Sequence, residues 1–178
     1  MTAYVALMRG INVGTAKQIK MPALKDVFTE LGLDDPQTLL RSGNVVFRSS
    51  QTLDAAYADH IEAAVLEATG VQSSVVLFDE SEFTRIASED PLQQIATDPA
   101  RHVIGFSSVP IENPDSISMP SAKDIAPELI VVGRQAIYQW CPDGISKSKV
   151  KPGFWKQFDG VITTRNRRTV DKLLAMIG

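Results

Sequence analysis

The first strong feature of the chain is a continuous apolar run, residues 3–8, which has the length of a strand. An unbroken run of this kind is typical of a strand that is covered on both faces. Apolar residues then recur at helical spacing between Met21 and Leu31, with Pro22 in the first turn and Gly32 after the last. Because proline is favoured at the start of a helix and glycine just past its end, the pattern predicts a central strand followed by a helix.

Three further elements complete the first half of the chain. Two short strand-like runs flank Ser42-Gly43-Asn44, whose glycine can supply the positive φ that a tight hairpin requires. One helical stripe that ends at Gly70 and a β-branched run follow. The predicted bounds are residues 37–41 and 45–48 for the hairpin strands, 53–68 for the helix and 74–78 for the strand. The order βαββαβ is that of a ferredoxin-like unit.

The second half of the chain gives a weaker version of the same order. Asp79 followed by Glu82 is typical of a capping box that starts a short helix. The Pro/Ser-rich residues 110–127 predict a long loop with at most one helical turn. The other predicted elements are a strand over 102–109, a hairpin over 128–132 and 135–140, a short helix near Phe154, a strand over 161–163 and a terminal helix over 170–177.

We therefore predict an α+β fold of two ferredoxin-like units packed in one compact chain. The predicted units are residues 1–79 and residues 80–178. The second unit carries the Pro-rich insertion 110–127 and the terminal helix, and its first helix is degraded. No internal sequence repeat supports the duplication directly.

The composition is that of an ordinary globular protein, since 44% of the 178 residues are hydrophobic and 22% are charged. The N-terminal apolar run ends at Arg9, far short of a membrane span, and no basic residue precedes it as in a signal peptide. Cys141 is the one cysteine and cannot form an intrachain disulfide. Because oxidising compartments favour paired cysteines, we expect a cytoplasmic protein with no membrane partner.

The net charge of −3 conceals an uneven distribution along the chain. Residues 134–178 hold nine Lys/Arg against three Asp/Glu, a local charge of +6. Residues 49–128 hold three Lys/Arg against fourteen Asp/Glu, a local charge of −11. The basic end either attracts an anionic partner or is solvated surface, and the sequence leaves both open.

The loop after the first strand contains groups suited to an anion. It offers the guanidinium of Arg9, the flexible backbone of Gly10 and Gly14 and the carboxamide of Asn12, and Lys20 follows at the start of the helix. The glycine spacing is neither that of the phosphate loop of nucleotide-hydrolysing enzymes nor that of the dinucleotide-binding fingerprint. Alternatively, the glycines form a tight strand exit, Asn12 caps the turn and Lys20 is a surface lysine.

Ser42 and Asn44 are explained by the hairpin turn alone, and the functional alternative is that they present a hydroxyl and an amide beside Arg41. A second candidate region, Thr163 to Asn166, leads into the terminal helix, where Thr164 or Asn166 can act as the N-cap.

Capping does not explain Arg165, because a cation at a helix N-terminus opposes the helix dipole. Arg165 therefore favours an anionic ligand at this point, together with the nearby Ser148 and Lys149. A solvated basic loop is the alternative.

Candidates for nucleophilic or metal catalysis are few. His60 and His102 have no ligand-spaced Cys, His or Asp partner, so we expect each to be structural or at the surface, with no metal site. Cys141 is expected to be a small buried thiol. Carboxylates crowd residues 54–98, but charged helix faces look the same, so no acid/base pair can be named.

Three motifs in order resemble the bacterial family named "domain of unknown function 1697". They are Arg9-Gly10-Ile11-Asn12-Val13-Gly14, Ser42-Gly43-Asn44-Val45-Val46-Phe47 and Thr163-Thr164-Arg165-Asn166, and the similarity also includes Lys20-Met21, Gly133-Arg134, Asp143-Gly144, Ser148-Lys149, Thr169 and Lys172. The resemblance implies two ferredoxin-like halves and no established reaction, cofactor or partner. This chain departs from the family pattern at Thr15, at Arg41 and at Arg167-Arg168, where Trp-Asn is usual.

The leading functional hypothesis is a binding module for an anionic, phosphate-bearing small molecule, without a cofactor or metal. The candidate ligand-binding residues are Arg9, Gly10, Asn12, Gly14, Lys20, Ser42, Asn44, Ser148, Lys149, Thr164, Arg165 and Asn166. The first alternative is a single-stranded nucleic-acid-binding protein, which the scarcity of sheet aromatics disfavours, since Tyr4 and Phe47 stand alone on their strands. Further alternatives are an enzyme with unidentified catalytic groups and a protein-interaction role through a sheet edge or the Pro-rich loop. The ligand, any reaction and the oligomeric state stay open.

Overall fold

The computed structural model describes residues 1–15 and 17–178. Over these residues the chain is a mixed α/β protein with two four-stranded antiparallel sheets and six α-helices. It forms two compact units, residues 1–84 with 173–178 and residues 85–172, each with its own sheet. The predicted domain division at residues 79 and 80 stays a prediction.

The first unit is built around a sheet with the strand order β2-β3-β1-β4, in which every neighbouring pair is antiparallel. Its strands are β1 (Thr2–Arg9), β2 (Asp34–Leu39), β3 (Asn44–Ser49) and β4 (Ser74–Asp79), and its helices are α1 (Met21–Glu30) and α2 (Tyr57–Thr69). A further helix, α3 (Glu80–Ser88), begins in this unit.

The predicted position of the first strand is confirmed, because β1 lies between β3 and β4 and all six residues from Ala3 to Met8 are buried. Alternate residues of β1 pack with α1 and α2 in the apolar core of this unit, where Phe28 and Phe47 meet with ring centroids 5.3 Å apart. Gly32, with a φ of 74°, follows the end of α1 as predicted.

The predicted hairpin is also confirmed, although its first strand begins three residues earlier than expected. The register of β2 against β3 shifts between Asp34 and Gln37, around Pro36, so the irregular start of the strand disguises its pattern. The turn contains two residues with positive φ, Leu40 and Gly43.

The second unit repeats this strand arrangement with the order β6-β7-β5-β8, again with antiparallel neighbours. Its strands are β5 (His102–Ser107), β6 (Leu129–Val132), β7 (Ala136–Trp140) and β8 (Ile162–Asn166). The Pro-rich segment contains one turn of 3-10 helix, Pro114–Ser116, and the short helix α4 (Ala122–Ile125). The other helices are α5 (Pro152–Trp155) and α6 (Arg167–Ile177), and the unit boundary falls within α6.

The capping box predicted at the start of α3 is present. Glu82 donates its backbone N–H to Asp79 Oδ1 at 2.8 Å, and Asp79 donates its own N–H to Glu82 Oε2 at 3.4 Å. This reciprocal pair satisfies two amide groups that a helix start leaves without partners.

The last strand ends three residues later than expected. The strand β8 continues through Asn166, which pairs with Val103 of β5, and α6 begins directly afterwards at Arg167. A helix start at Arg167 agrees with an N-cap at Asn166, one of the two residues predicted for that role. Among the described residues, no helix combines the length and the apolar character that crossing a bilayer requires.

Candidate functional site

The side chain of Asn12 fastens the loop that follows β1. Its amide nitrogen donates to the carbonyl of Ile19 at 3.1 Å and to that of Arg41 at 2.7 Å, and its Oδ1 accepts the N–H of Ile19 at 2.8 Å. Asn12 has a φ of 54°, a conformation that asparagine tolerates better than most residues. These bonds use both ends of the carboxamide, so Asn12 positions the loop and has little capacity left for a ligand.

The hairpin turn before β3 packs against the same loop. Met8 donates its N–H to the carbonyl of Gly43 at 2.7 Å, and a Cβ built on Gly43 would lie 2.4 Å from Ile11 Cδ1 and 2.7 Å from Met8 Cβ. The structure thus brings the Arg9–Gly14 motif and the Ser42–Asn44 motif together, although the chain separates them by about thirty residues. We call residues 9–15 and 17–20 with residues 40–44 the loop edge.

Asn44 contributes to this packing, and the exposed Ser42 accepts one of its hydrogen bonds. Asn44 is fully buried and donates to the carbonyl of Leu39 at 2.7 Å and to Ser42 Oγ at 3.1 Å. The turn interpretation of these two residues accounts for the bonds they make.

The loop edge carries four cations, and in the described part of the chain none of them forms an ion pair with a carboxylate. They are Arg9, Lys17, Lys20 and Arg41, and all four are exposed. Residues 1–25 contain no Asp or Glu at all. Their charges therefore remain available to an anion.

Two of these cations have other local roles. Lys17 Nζ lies 2.8 Å from the position of a Cβ on Gly70, which ends α2, and a cation there complements the helix dipole. The guanidinium of Arg41 donates to Oε1 of Gln18, a neutral partner. Arg9 and Lys20 have no such local contact, so of the four cations they have the fewest competing interactions.

The backbone of the glycine loop is open to a ligand. Gly10 and Gly14 have φ values of 82° and 62°, and a Cβ on either would meet no atom within 4 Å. Among the described residues, no acceptor bonds the backbone N–H of Val13 or Gly14, and both residues are exposed. Unpaired N–H groups beside cations are suited to an anion.

The remaining predicted residues lie in the second unit, where a buried carboxylate that sequence reasoning missed organises two of them. Glu128 is 5% exposed and accepts hydrogen bonds from Ser148 Oγ at 2.8 Å, from Gln139 Nε2 at 3.0 Å and from the backbone N–H of Lys149. Lys149 Nζ in turn donates to the carbonyl of Ala126. No sequence signal distinguishes Glu128 from the many carboxylates that precede it.

Arg165 lies on β8, so its predicted place in a loop at the helix start is wrong. The side chain is 9% exposed and donates to Thr163 Oγ1 at 3.0 Å and to the carbonyl of Thr164 at 2.8 Å. Burial lowers the pKa of its guanidinium to about 10. The cause of the error is that β8 runs three residues further than the predicted end at residue 163.

Asn166 is the N-cap of α6, one of the two residues proposed for this role. Its Oδ1 accepts the backbone N–H of Thr169 at 3.0 Å and the Thr169 hydroxyl at 2.9 Å. Thr164, the other candidate, is exposed on β8.

A second group missed by sequence reasoning surrounds Asp90. His102 Nε2 lies 2.9 Å from Asp90 Oδ2, without the direction of a hydrogen bond, and both side chains are buried. Arg167 lies 3.4 Å from the same oxygen and also donates to the carbonyl of Ala87 at 2.9 Å and to Asp171 at 2.7 Å. His102 is therefore a core residue, as expected, while His60 is exposed and stacks on Tyr57.

Cys141 is buried as predicted. Burial, and after it the adjacent Glu128 carboxylate, raises the pKa of the thiol to about 12. A thiol in this state is a poor nucleophile at neutral pH. Among the described residues, no group of three Cys, His, Asp or Glu side chains is arranged to hold a metal ion.

The two aromatic residues considered for base stacking are both in the core. Tyr4 is 2% exposed and Phe47 is fully buried, and their rings stack on each other at 5.5 Å. The Tyr4 hydroxyl accepts the backbone N–H of Leu53 at 3.0 Å. Neither ring is available to a nucleic-acid base.

Residues 1–138 match the family model described as "Protein of unknown function (DUF1697)". The chain belongs to this family. The matched part includes the whole loop edge and ends within β7. The family indicated by the motifs is thereby confirmed, although the match does not reach the third motif, Thr163–Asn166, and the family description assigns no activity.

A solved structure shows the same fold over the whole length. It is that of a conserved bacterial protein from Streptococcus pneumoniae, with a TM-score of 0.73, 24% identity and coverage of 99% of both chains. No curated protein matches the chain.

Proposed function

We propose that this member of the family is a binding module for an anionic, phosphate-bearing small molecule, and that the loop edge is the binding site. One observation carries the proposal: the end of β1, the loop that follows it and the hairpin turn packed against that loop carry four exposed cations, and none of the four has a carboxylate partner among the described residues. Uncompensated charges at one place favour an anion more strongly than the same charges scattered over a surface.

Arg9 and Lys20 are the proposed charge contacts, and the N–H groups of Val13 and Gly14 are the proposed neutral donors. Gly10 and Gly14 allow a close approach because no side chain covers the backbone. Asn12 has a positioning role, since its bonds hold Ile19 and Arg41 beside the loop.

Contacts within the protein hold the loop in place without a ligand. This supports a binding role, because a loop held in this way is more than a flexible surface segment. Asn12 closes the loop from within, and the contacts of Gly43 with Met8 and Ile11 fix it against the hairpin turn. A site that is ordered in advance loses less conformational entropy on binding.

Titration of the 15N-labelled protein with inorganic pyrophosphate tests the proposal. We expect amide shifts in the loop edge, and in Lys20→Glu a Kd at least about tenfold higher at those signals, because an attractive charge becomes repulsive. Lys25→Glu is the matched control, because Lys25 is an exposed lysine of α1 that lies outside the loop edge. Both substitutions change the net charge of the protein by the same amount. Shifts absent at about 10 mM pyrophosphate in low salt, or equal losses in the two variants, would contradict the proposal.

We also propose that each unit is ferredoxin-like. The order β2-β3-β1-β4 with antiparallel neighbours, and two helices packed on one face of the sheet, supports this for the first unit. The cytoplasmic location stays part of the proposal and is supported by the lone, buried Cys141.

A further inference from the structure

The second unit contains a cleft between the Pro-rich segment and the chain around α5, which we call the Lys151 cleft. Its volume is about 400 Å³, and its walls include Met119, Ile125, Lys149, Lys151 and Phe154. This volume is within the range of small-molecule sites. All of its lining residues belong to the second unit, so the cleft is separate from the loop edge.

The two walls of the cleft are tied together at one end by Gln157. Its Oε1 accepts the backbone N–H of Ser118 at 2.8 Å, and its Nε2 donates to the carbonyl of Ser118 at 3.1 Å and to that of Phe154 at 3.2 Å. This two-point contact holds an otherwise irregular segment at a fixed distance from α5. The cleft is therefore a formed feature of the unit.

The charged side chains that line the cleft are mostly cationic. Lys149 and Lys151 are exposed and form no ion pair in the described part of the chain, and Asp124 is the one carboxylate among the lining residues. The buried Glu128 fixes the backbone N–H of Lys149, and the carbonyl of Ala126 orients its ammonium group. One of the two charges is thus held in place by bonds outside the cleft.

The lining of the cleft also includes apolar side chains. Phe154 and Ile125 are almost fully buried and belong to the core of this unit, while Met119 is 43% exposed. The ring of Phe154 is fixed edge-on by Trp155 and Phe158, with centroids 5.3 Å and 5.4 Å away. A flexible, exposed methionine that lines the same cleft as a rigid aromatic residue is suited to covering a flat apolar group.

We propose that the Lys151 cleft binds a small organic anion in which a phosphate or carboxylate group is joined to an aromatic or branched apolar body. The anionic group lies near Lys149 and Lys151, and the apolar body contacts Met119 and the Phe154 side of the cleft. This goes beyond the loop edge, where the groups on offer are cations and backbone N–H donors and the ligand needs no apolar part.

The test uses phenyl phosphate as the probe, with the full-length 15N-labelled protein. We expect shifts of the amides of Lys151 and Gly153 and of the Trp155 indole, with a Kd at least about tenfold lower than that of inorganic phosphate at the same signals. The two probes differ by the phenyl ring, so the ratio of their Kd values measures how much contact between the ring and the apolar lining residues contributes to binding. Phenol, which has the ring without the anion, should bind more weakly than phenyl phosphate.

Charge reversal at the cleft gives the matched comparison. Lys151→Glu should raise the Kd of phenyl phosphate at least about tenfold, and Lys147→Glu should leave it within about twofold. Lys147 is an exposed lysine close by in the chain that does not line the cleft. Circular dichroism tests whether both variants are folded. If a variant does not fold, the comparison of the three probes on the unmodified protein still tests the proposal.

The proposal is wrong if phenyl phosphate shifts only residues 9–20, if it binds no better than inorganic phosphate, or if the two variants weaken it equally. The first outcome would leave the loop-edge proposal intact, because pyrophosphate binding there is measured at different amides. Failure at the loop edge, in turn, would not affect the signals of Lys151 and Gly153.

Discussion

Individual polar side chains determine the shape of both candidate sites. Asn12 connects the loop to Ile19 and Arg41, and Glu128 performs a similar task for Ser148 and Lys149. Each is a residue whose hydrogen-bonding groups are used within the protein. Such residues are easily taken for ligand contacts when only the sequence is known, because their chemistry is the same.

The thiol of Cys141 should give the protein a measurable pH dependence. Its pKa is raised from 9.0 to about 12 in the folded chain, chiefly by burial. In the unfolded chain the thiol ionises above about pH 9 while the folded chain keeps its proton, so stability is complete below that pH and falls as the pH rises towards 12.

We expect the free energy of unfolding to fall by about 1–2 kcal/mol more in the natural protein than in Cys141→Ser between about pH 8 and pH 10. Urea denaturation of both proteins at the two pH values measures this difference. Serine is the control because it keeps a hydroxyl near Glu128 and does not ionise in this range. Identical pH slopes for the two proteins would show that the thiol is not buried as described.

At the scale of elements, the hairpin turn packs directly against the glycine loop. Gly43 is required there for two reasons, its φ of 80° and the absence of space for a Cβ beside Ile11 and Met8. Gly14 has a similar φ of 62°, but its surroundings are open. Substituting the two glycines therefore distinguishes the cost of backbone strain, which applies at both positions, from the cost of steric overlap, which applies only at Gly43.

Gly43→Ala is expected to lower the free energy of unfolding by about 2–4 kcal/mol, whereas Gly14→Ala is expected to lower it by about 1 kcal/mol. Both substitutions place alanine in the left-handed region, and only the first also drives a Cβ into Ile11 and Met8. Urea denaturation of the two variants gives the comparison. Equal losses would mean that the turn moves away from the loop without cost.

At the scale of the whole molecule, stability and proposed binding depend on different forces. Each unit has its own apolar core, led by residues such as Phe28 and Phe47 in the first and Phe154 in the second. The proposed anion contacts are exposed cations of the loop edge. Salt screens exposed charges and leaves apolar burial largely unaffected.

Raising sodium chloride from about 0.05 M to about 0.5 M should therefore weaken pyrophosphate binding at least about fivefold while the urea midpoint changes little. Calorimetric or NMR titration measures the first quantity and urea denaturation the second. If the affinity is independent of salt, the ligand contacts are not the exposed cations.

The sequence by itself determined the elements and their order, because apolar periodicity, proline and glycine positions act locally. It placed β1 at the centre of a sheet, predicted the capping box at Asp79 and narrowed the N-cap of α6 to Thr164 or Asn166, of which Asn166 is the one used. It failed at the end of β8, where pairing with β5 carries the strand through polar residues that have no strand-like pattern.

Only the tertiary structure decided which polar residues are used within the protein and which are open. It brought the Arg9 loop against the Gly43 turn, buried Asn44 and Arg165, and revealed Glu128 and the Lys151 cleft. The physical reason is that burial and hydrogen-bond partners depend on contacts between residues far apart in the chain. Residue type alone records what a side chain can bind, and folding determines whether it is free to do so.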